Sequence, residues 1–259
     1  MANTALITGA SSGIGEELAR VHAQAGGDLI IVARRRQRLE QLAEELTDAY
    51  GVAVHVMASD LAKPRAAQKL VAEIEARELE VDVLINNAGF GAFGAFHESE
   101  LLREQGMMQV NMVALTELTY LLVQGMVERG NGKILNVGSV AGFLPGPLQA
   151  VYFASKAYVN SFSQALAAEL KGTGVTVTVL CPGPVATEFQ ETSDMQHVKG
   201  FEFAASGESV ARRGYKAMNR GELVAFNDPK MRMLMDGVLP FLPRKGVLSI
   251  ARMTMQKGR

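Results

Sequence analysis

The sequence has a single cysteine, Cys181, among its 259 residues. No disulfide can form within one chain, so we expect a reducing compartment and a cytoplasmic location. Histidine is also scarce, and its four positions lack the spacing of metal ligands: His22, His55, His97 and His197. We therefore interpret them as packed or solvated side chains and expect no metal site.

The sequence also lacks an excess of charge of either sign. Its 26 Lys and Arg residues nearly balance its 27 Asp and Glu residues, and the formal net charge is −1. This balance provides no overall attraction to nucleic acid. No signal peptide precedes the first apolar segment, which begins almost at Met1, and we expect no apolar run as long as a membrane span.

Apolar runs alternate along the chain with segments of helical periodicity, without a repeat or an interdomain linker. The runs predict strands near 4–8, 28–33, 53–57, 82–85, 133–138, 175–181 and 222–226. The periodic segments predict helices over 14–26, 36–50, 64–78, 98–129 (broken near 106–111) and 149–171. Because βαβ crossovers are right-handed, this order predicts a three-layer α/β fold with a doubly wound parallel sheet of about seven strands. One domain spanning residues 1–259 is long enough to hold it.

A glycine-rich turn, Gly9-Ala10-Ser11-Ser12-Gly13-Ile14-Gly15, joins the first predicted strand to the first helix. Glycines at these places permit a tight turn, a close approach of the backbone to a phosphate, and packing of the helix on the sheet. The free N–H groups at the start of the helix then favour a pyrophosphate. A tight turn without a ligand is the alternative, but it accounts for one glycine better than for the set.

Tyr152 and Lys156 are four residues apart in a predicted helix and therefore share one face. An ammonium beside a phenol favours the phenolate, so we expect Lys156 to lower the pKa of Tyr152 and make it a general acid or base. Ser139 follows the predicted strand 133–138, at the sheet edge where α/β proteins bind ligands. A solvated Tyr–Lys pair and a turn-capping serine are the alternatives, and they explain the combination poorly.

In these motifs the sequence resembles the short-chain dehydrogenase/reductase family, in its single-domain Rossmann-fold form. The turn from Thr8 to Gly15 matches the family's cofactor motif, and Asn86-Asn87-Ala88-Gly89 matches its Asn-Asn-Ala-Gly. The family's catalytic tetrad is matched in order and spacing by Asn111, Ser139, Tyr152 and Lys156. Pro182-Gly183 matches the dipeptide under the nicotinamide. The resemblance is close from residue 3 to about 190, which implies a cofactor-binding and catalytic core in 1–190 and a substrate lid and C-terminal extension in 190–259.

The resemblance implies an NADP(H)-dependent oxidoreductase that interconverts a carbonyl compound and an alcohol. Ser139 and Tyr152 would bond the carbonyl oxygen, and Tyr152 would supply the proton. Lys156 would bond the nicotinamide ribose and keep Tyr152 acidic, while Asn111 would interrupt its helix and anchor a water that relays protons. The implied cofactor contacts are Gly9, Ser11, Ser12, Gly13, Ile14, Gly15, Arg34, Asp60, Asn87, Ala88, Gly89, Tyr152, Lys156, Pro182, Gly183, Val185 and Thr187.

The end of the second predicted strand indicates which cofactor is used. No carboxylate stands there to select NAD, because Ala33 is followed directly by Arg34. Arg34 could bind a ribose 2′-phosphate and stack on adenine, and the resemblance then implies NADP. The alternative is the solvated start of a helix, and Ser12 stands where many NADP-using relatives carry a second basic residue. Asp60 matches the family residue that binds the adenine amine, with a helix N-cap ahead of Pro64 as its other interpretation.

The substrate pocket is predicted from residues 90–97, 141–149 and 186–215. The apolar candidates for its wall are Phe90, Phe93, Phe96, Phe143, Leu144, Phe189, Phe201 and Phe203. They predict a hydrophobic carbonyl substrate, for which an acyl or lipid-like compound is plausible. Two other functions stay open: a nucleotide-binding sensor or scaffold, and a sugar-nucleotide epimerase, although the latter needs more than about 70 residues after the core.

Residues 228–259 contain seven Lys and Arg residues against Asp228 and Asp236. Apolar side chains recur there at helical spacing: Met231, Leu234, Met235, Val238 and Leu242. We favour a helix that closes the substrate pocket or contacts a second subunit. A peripheral contact with an anionic membrane is the alternative. The family habit suggests a homodimer or homotetramer built through helices 98–129 and 149–171.

Overall fold

The computed structural model describes residues 3–195 and 204–255. Seven parallel strands form one sheet in the order β3-β2-β1-β4-β5-β6-β9, and β7 pairs with β8 beside it. The strands are β1 Ala5–Thr8, β2 Leu29–Ala33, β3 Val54–Ala58, β4 Val83–Asn86, β5 Gly132–Val137, β6 Val175–Cys181, β7 Val185–Ala186, β8 Ala205–Ser206 and β9 Val224–Phe226. The predicted Rossmann fold is confirmed, and each strand predicted for the large sheet lies within two residues of its observed bounds.

Helices lie on both faces of the sheet. They are α1 Gly13–Gln24, α2 Arg36–Tyr50, α3 Ala66–Ala76, α4 Leu101–Met108, α5 Leu115–Glu128, α6 Ala150–Glu169, α7 Phe189–Thr192, α8 Gly207–Asn219, α9 Pro229–Arg232 and α10 Arg244–Thr254. They connect the successive strands of the sheet, except α9 and α10, which follow the last strand, β9. Single 3-10 turns occur at Phe96–Glu98, Val140–Phe143 and Leu239–Phe241, and π-helical turns at Gln109–Ala114 and Met233–Val238.

Strand β1 is the place where the winding of the sheet reverses. Ala5 pairs with Leu29 of β2 on one side and with Val83 of β4 on the other, all in parallel register. The chain therefore leaves β1 in one direction and later returns to its opposite edge. In such a sheet the connecting loops separate at the carboxyl ends of the strands and leave a crevice between them.

The core is divided by the sheet into two apolar layers. Successive strand residues point to opposite faces, so Ile7 and Ile31 are buried on the side of α1, α2 and α8. Leu6 and Ile30 are buried on the side of α3 and α5. Both faces of the strands are thus covered, which explains why the strand sequences are apolar throughout rather than alternating.

Helix α8 was not predicted from the sequence, which had assigned residues 186–215 to the pocket wall. That assignment was wrong for residues 207–215, because they pack on the sheet and away from the cavity. The helix begins where the Ser206 hydroxyl accepts a bond from the Ser209 N–H, at 3.2 Å. Its buried face follows helical periodicity: Val210, Ala211, Gly214, Ala217 and Met218. That periodicity was present in the sequence and could have revealed the helix.

Helices α4 and α5 are joined by the π turn into one helical stretch, Leu101–Glu128. By length and composition alone this stretch could cross a membrane, contrary to our expectation for the sequence. Of its most apolar window, 39% is buried in the fold, and Leu118 and Met126 belong to the core beneath the sheet. A core helix of a globular protein has the same composition, so the stretch is weak evidence for a membrane.

Candidate active site

A cavity of about 650 Å³ lies at the carboxyl ends of the strands, on both sides of the reversal at β1. Every residue predicted to bind the cofactor or to act in catalysis lines it, except Gly15 and Asn111. We call the part formed by the loops after β1, β2 and β3 the polar half. The apolar half is lined by Phe90, Ala141, Leu144, Gln149, Phe153, Phe189, Thr192, Met195, Met231, Leu234, Met235, Leu239, Leu242, Val247 and Met255. Ser139, Tyr152 and Lys156 lie at the junction of the two halves.

The glycine turn packs closely against the loop after β4, which leaves no room for side chains at Gly9 and Gly15. Gly9 has a φ of 70°, and a Cβ added there would lie 2.7 Å from Nδ2 of Asn87. A Cβ at Gly15 would collide with the same amide and with the Gly9 carbonyl. The Asn87 side chain donates to the Thr8 carbonyl at 2.9 Å. This bond connects the start of the glycine turn to the loop after β4. The close approach of bare backbone to the cavity fits a pyrophosphate.

Arg34 and Arg35 extend from the end of β2 into the polar half of the cavity. Arg34 is exposed and has no ion pair or hydrogen bond among the described residues. Arg35 instead donates to the Glu188 carboxylate at 2.8 Å and to the Ser11 carbonyl at 3.1 Å. This link from the glycine turn to the segment after β7 was not foreseen. The Arg35 guanidinium lowers the pKa of Glu188, and both side chains remain substantially exposed.

Asp60 lines the polar half after β3. Its Oδ1 accepts a bond from the Ala62 N–H at 3.1 Å and closes a short turn. Helix α3 begins only at Ala66 and is preceded by Arg65 in the left-handed region, with φ 59°. Asp60 is therefore not the cap of that helix, and the N-cap interpretation was wrong. Its position beside the cavity leaves the predicted contact with adenine open.

Tyr152 and Lys156 share one face of α6, as the spacing predicts, and both are buried. The Lys156 Nζ donates to the Val137 carbonyl at 2.8 Å. Burial raises the pKa of Tyr152 to about 12, although a hydrogen bond with the Ser139 side chain partly offsets it. Burial lowers the pKa of Lys156 to about 8, and the neighbouring Cys181 partly offsets that. The expected lowering of the Tyr152 pKa was wrong, because desolvation outweighs the nearby ammonium.

Ser139 lies two residues after the end of β5 and is fixed by its neighbours. Its hydroxyl accepts a bond from the Ala141 N–H at 3.0 Å, and its carbonyl accepts one from the Asn160 amide at 3.0 Å. Asn160 lies on α6 one turn after Lys156, so one helix holds Tyr152, Lys156 and the support of Ser139. The sequence analysis did not identify Asn160, which is buried and resembles an ordinary polar helix residue.

Asn111 interrupts the α4–α5 helix, as predicted, and sits in the π turn. Its side chain is buried, and both of its polar atoms are hydrogen-bonded. The Oδ1 accepts from the Phe90 N–H at 3.1 Å, and the Nδ2 donates to the Ser155 hydroxyl at 3.0 Å. It therefore connects the loop after β4 to α6, directly behind the Tyr152 face. It does not line the cavity itself, and the relay water predicted for it is not tested.

The apolar half contains some of the predicted aromatic side chains. Phe90, Leu144 and Phe189 line it. Phe143 instead packs on Phe226, with ring centroids 5.5 Å apart. Phe93 and Phe96 do not line the cavity, and Phe201 and Phe203 lie outside the described residues.

Residues after β9 supply much of the remaining wall, as the sequence predicted. Of the apolar residues predicted there at helical spacing, Met231, Leu234, Met235 and Leu242 line the cavity, whereas Val238 faces solvent. These five residues do not lie on one regular helix. The chain passes from α9 through a π turn and a 3-10 turn containing Pro240 before α10 begins after Pro243. A proline cannot continue an α-helix, which explains the break.

Gln149 is the main polar residue of the apolar half; it lies in the predicted pocket range 141–149, although the sequence analysis did not single it out. It is 3% exposed and lies directly before α6, three residues from Tyr152. Its Nε2 contacts the Met195 sulfur at 2.7 Å, while its Oε1 is buried without a hydrogen-bond partner among the described residues. Most buried amide oxygens are paired, so this one is unusual.

The segment that carries Met195 is held against the cavity by polar contacts. The Gly91 N–H donates to the buried Ser193 hydroxyl at 3.1 Å. Arg103 of α4 donates to Asp194 at 2.8 Å and to the Thr192 carbonyl at 3.0 Å. Together with the Arg35–Glu188 pair, these bonds fix α7 over the junction of the two halves.

The short chain dehydrogenase family matches residues 3–197 of the chain. Sulfoacetaldehyde reductase 2 from Chromohalobacter salexigens is 40% identical over 191 residues, which are 73% of this chain and 75% of that protein. A short-chain dehydrogenase from Sphingobium yanoikuyae, solved in complex with NADPH, has a TM-score of 0.84 and 33% identity over 95% of both chains. The bulky-bulky ketone specific alcohol dehydrogenase from Comamonas testosteroni has a TM-score of 0.78 and 28% identity over 95% of this chain and 94% of that one.

Proposed function

The chain belongs to the short-chain dehydrogenase family and is an oxidoreductase, and from this premise we propose that it interconverts a bulky, uncharged, apolar carbonyl compound and its alcohol with NADP(H). One observation carries the proposal. The polar half of the cavity holds an unpaired arginine, whereas the described lining of the apolar half contains no charged side chain. A large anionic cofactor and an uncharged apolar substrate suit these two environments.

Arg34 supports the choice of NADP over NAD. It lies in the cavity without a partner among the described residues, after a strand that ends in Ala33 rather than in a carboxylate. A ribose 2′-phosphate would supply the missing anion in a bidentate, charge-assisted bond. The similar structure from Sphingobium yanoikuyae was solved with NADPH, which agrees with this choice.

Tyr152 is assigned the role of proton donor. With its pKa raised to about 12, its phenol is protonated at neutral pH, the form that gives a proton to a carbonyl oxygen. Ser139 holds that oxygen through its hydroxyl, and its position is fixed by Asn160 and Ala141. Bound NADPH would supply the hydride. The Lys156 ammonium, 5.9 Å from the centre of the Tyr152 ring, would stabilise the phenolate that forms as the proton leaves.

The apolar half argues against a substrate like that of the sulfoacetaldehyde reductase. A sulfonate or carboxylate buried there would lack a cation to pair with, and an unpaired buried charge is strongly unfavourable. The walls are methionine, leucine and phenylalanine side chains, which adapt to large apolar groups. The name of the Comamonas testosteroni relative, a bulky-bulky ketone specific enzyme, agrees with this class.

Initial rates of NADPH oxidation test the proposal against a panel that contains a bulky apolar ketone, a small apolar ketone, sulfoacetaldehyde and a sugar. We expect the highest kcat/KM for the bulky ketone and faster turnover with NADPH than with NADH. A preference for sulfoacetaldehyde would overturn the substrate class. NADPH binding without oxidation of any carbonyl would favour a sensor, and conversion of a nucleotide sugar without net NADPH consumption would favour an epimerase.

We propose a homodimer or homotetramer built through α4, α5 and α6. Large apolar side chains are exposed on these helices and on the π turn between α4 and α5: Leu101, Leu102, Val113, Tyr120, Val127 and Tyr158. An apolar surface of this extent is typical of a contact between subunits. Sedimentation of the purified chain would give the assembly, and a monomer at micromolar concentration would contradict it. The single domain and the cytoplasmic location stay predictions.

A further inference from the structure

The C-terminal segment, residues 229–255, has an inner and an outer face of different chemistry. Its inner face closes the apolar half of the cavity through Met235 and Val247, both buried. Leu234 and Leu242 line the same cavity and are also exposed to solvent. The cavity wall and the outer surface of the protein therefore meet at these two residues, and the apolar half opens here.

The outer face of the segment carries large apolar side chains that contact little of the protein. Phe241 is 82% exposed, Met233 67% and Met253 62%, and Val238 and Leu248 are exposed as well. These side chains come from three consecutive elements: the π turn at Met233–Val238, the 3-10 turn at Leu239–Phe241, and α10. Single exposed apolar residues are common on proteins, whereas a group that surrounds a cavity opening indicates a binding surface.

Cations accompany these apolar side chains. Lys230, Arg244, Lys245 and Arg252 have no ion pair with any described residue. Arg232 is the exception, 3.7 Å from Asp236. On α10, Lys245, Leu248 and Arg252 follow one another at spacings of three and four residues, so the leucine lies between two cations on the exposed face.

We propose that the outer face of the C-terminal segment docks on an anionic phospholipid bilayer, with the cations at the headgroups and Phe241, Met233 and Met253 in the interface. Apolar side chains mixed with lysine and arginine on an exposed helix are suited to such a surface. A second copy of the chain suits it poorly, because a twofold contact would place this cationic face against itself. Docking would place the opening of the apolar half at the lipid. A lipid-borne carbonyl substrate is a corollary that rests on the proposed function, whereas the docking does not.

Cosedimentation with vesicles tests the docking without any assay of activity. The intact protein is mixed with vesicles of phosphatidylcholine and phosphatidylserine, and separately with pure phosphatidylcholine. We expect binding to the anionic vesicles that falls as salt is added, because added ions screen exposed charges. Absence of binding to the anionic vesicles, or equal binding to both kinds, would overturn the proposal.

A charge-reversal variant identifies the surface. Arg244→Glu, Lys245→Glu and Arg252→Glu together should lower the vesicle partition coefficient at least about tenfold, given roughly 1 kcal/mol for each cation near the headgroups. The matched control reverses three exposed cations elsewhere, Lys63→Glu, Lys69→Glu and Lys171→Glu, and should bind as the wild type does. An equal loss in both variants would overturn the assignment to this face. A change in assembly by the first variant, with vesicle binding intact, would make the face a contact between subunits.

A fluorescent reporter tests the same face without a change in charge. The chain contains no tryptophan, so Phe241→Trp introduces a single indole at the most exposed apolar position of the segment. We expect its emission to shift to shorter wavelength when anionic vesicles are added, since tryptophan favours the membrane interface. Tyr50→Trp at the end of α2, on an exposed side chain outside the segment, should not shift. A shift of the control alone, or of neither reporter, would overturn the proposal.

Discussion

The Lys156 ammonium lies 5.9 Å from the ring centroid of Tyr152, and both side chains are buried where α6 meets the end of β5. Burial penalises the charged form of each, so the pKa of Tyr152 rises to about 12 and that of Lys156 falls to about 8. At neutral pH the pair is a neutral phenol beside an ammonium that loses its proton more readily than free lysine. The first two predictions follow from this relationship.

Tyr152→Phe should lower kcat for a good carbonyl substrate by at least about a hundredfold, the usual size of a lost general acid. NADPH binding should stay close to that of the wild type, because the ring still packs against Phe189, with centroids 5.4 Å apart in the wild type. Steady-state rates and a fluorescence titration of NADPH check both parts. Tyr158→Phe, which removes an exposed hydroxyl from the same helix, is the control and should retain activity. A Tyr152→Phe enzyme that keeps most of its rate would refute the assignment.

Lys156→Met should raise the free energy of unfolding of the coenzyme-free protein near neutral pH. The gain should be at most about 3 kcal/mol, the free energy that corresponds to the lowering of the Lys156 pKa. Between the folded pKa of about 8 and the ordinary lysine pKa of 10.5, the unfolded wild-type chain keeps the Lys156 proton, whereas the native state loses it. The stability of the wild type therefore rises relative to the variant as pH rises through this window. Urea unfolding at several pH values measures it.

Lys156→Met also removes the hydrogen bond from the Lys156 ammonium to the Val137 carbonyl, which is 2.8 Å long in the wild type. This loss will reduce the gain in the free energy of unfolding. The control is Lys171→Met, which removes an exposed lysine, and it should show no comparable trend with pH. A Lys156→Met variant that is less stable at every pH would show that the bond to Val137 outweighs the desolvation of the ammonium.

The large sheet was predictable because its strands carry a local signal. The run of apolar and β-branched residues at 175–181 is bounded by glycine and proline, and β6 occupies Val175–Cys181. Helix α8 was missed although its periodicity is present in the sequence, because three of its five buried residues are alanine or glycine and contribute little to a hydrophobic pattern. Their burial against β6, where Gly214 meets Leu180, is a tertiary contact.

The candidate site likewise combines residues that local motifs predict with contacts that only the tertiary structure shows. The glycine turn, Ser139, Tyr152 and Lys156 are local motifs, and the structure brings them to one cavity. The Arg35–Glu188 pair joins residues 153 positions apart, and no local pattern indicates it. The direction of the shift in the Tyr152 pKa was mispredicted for a related reason. The spacing of charges is visible in the sequence, whereas the depth of burial is not.

Arg34→Ala should raise the Michaelis constant for NADPH and leave that for NADH nearly unchanged. Loss of a charge-assisted bond to phosphate costs roughly 1.5–3 kcal/mol, which is about one to two decades in affinity. The control is Arg36→Ala, an exposed arginine that pairs with Glu40 at 3.6 Å and does not line the cavity. It should leave both constants alone. Equal effects of Arg34→Ala on the two coenzymes would refute the choice of NADP.

Glu188→Gln should tighten NADPH binding roughly two- to fivefold, the scale of one exposed ion pair. The substitution removes a carboxylate from the cavity wall. It also frees Arg35, which Glu188 binds at 2.8 Å in the wild type, to face the phosphates. Stopped-flow release of NADPH at low and high salt measures the effect, which should shrink as salt is added. Glu191→Gln, on an exposed side chain of the same short helix, should change nothing. Weaker binding by Glu188→Gln would show that the ion pair supports the coenzyme site instead of competing with it.

Gln149→Met should raise the unfolding free energy of the coenzyme-free protein by roughly 1–3 kcal/mol, the cost of a buried polar atom without a partner. The Oε1 of Gln149 is such an atom, and a methionine of similar length fills the same space next to Met195.

If substrates use this amide, Gln149→Met should lower kcat/KM for ketones that carry a neighbouring hydroxyl and leave that for plain ketones unchanged. The reason is that only a hydrogen-bond donor on the substrate can satisfy the Oε1. Urea unfolding and paired substrates measure the two effects, with Gln41→Met on the exposed face of α2 as the control. Destabilisation by Gln149→Met would mean that its contact with Met195 outweighs the unpaired oxygen, and equal losses on both ketones would exclude recognition of the hydroxyl.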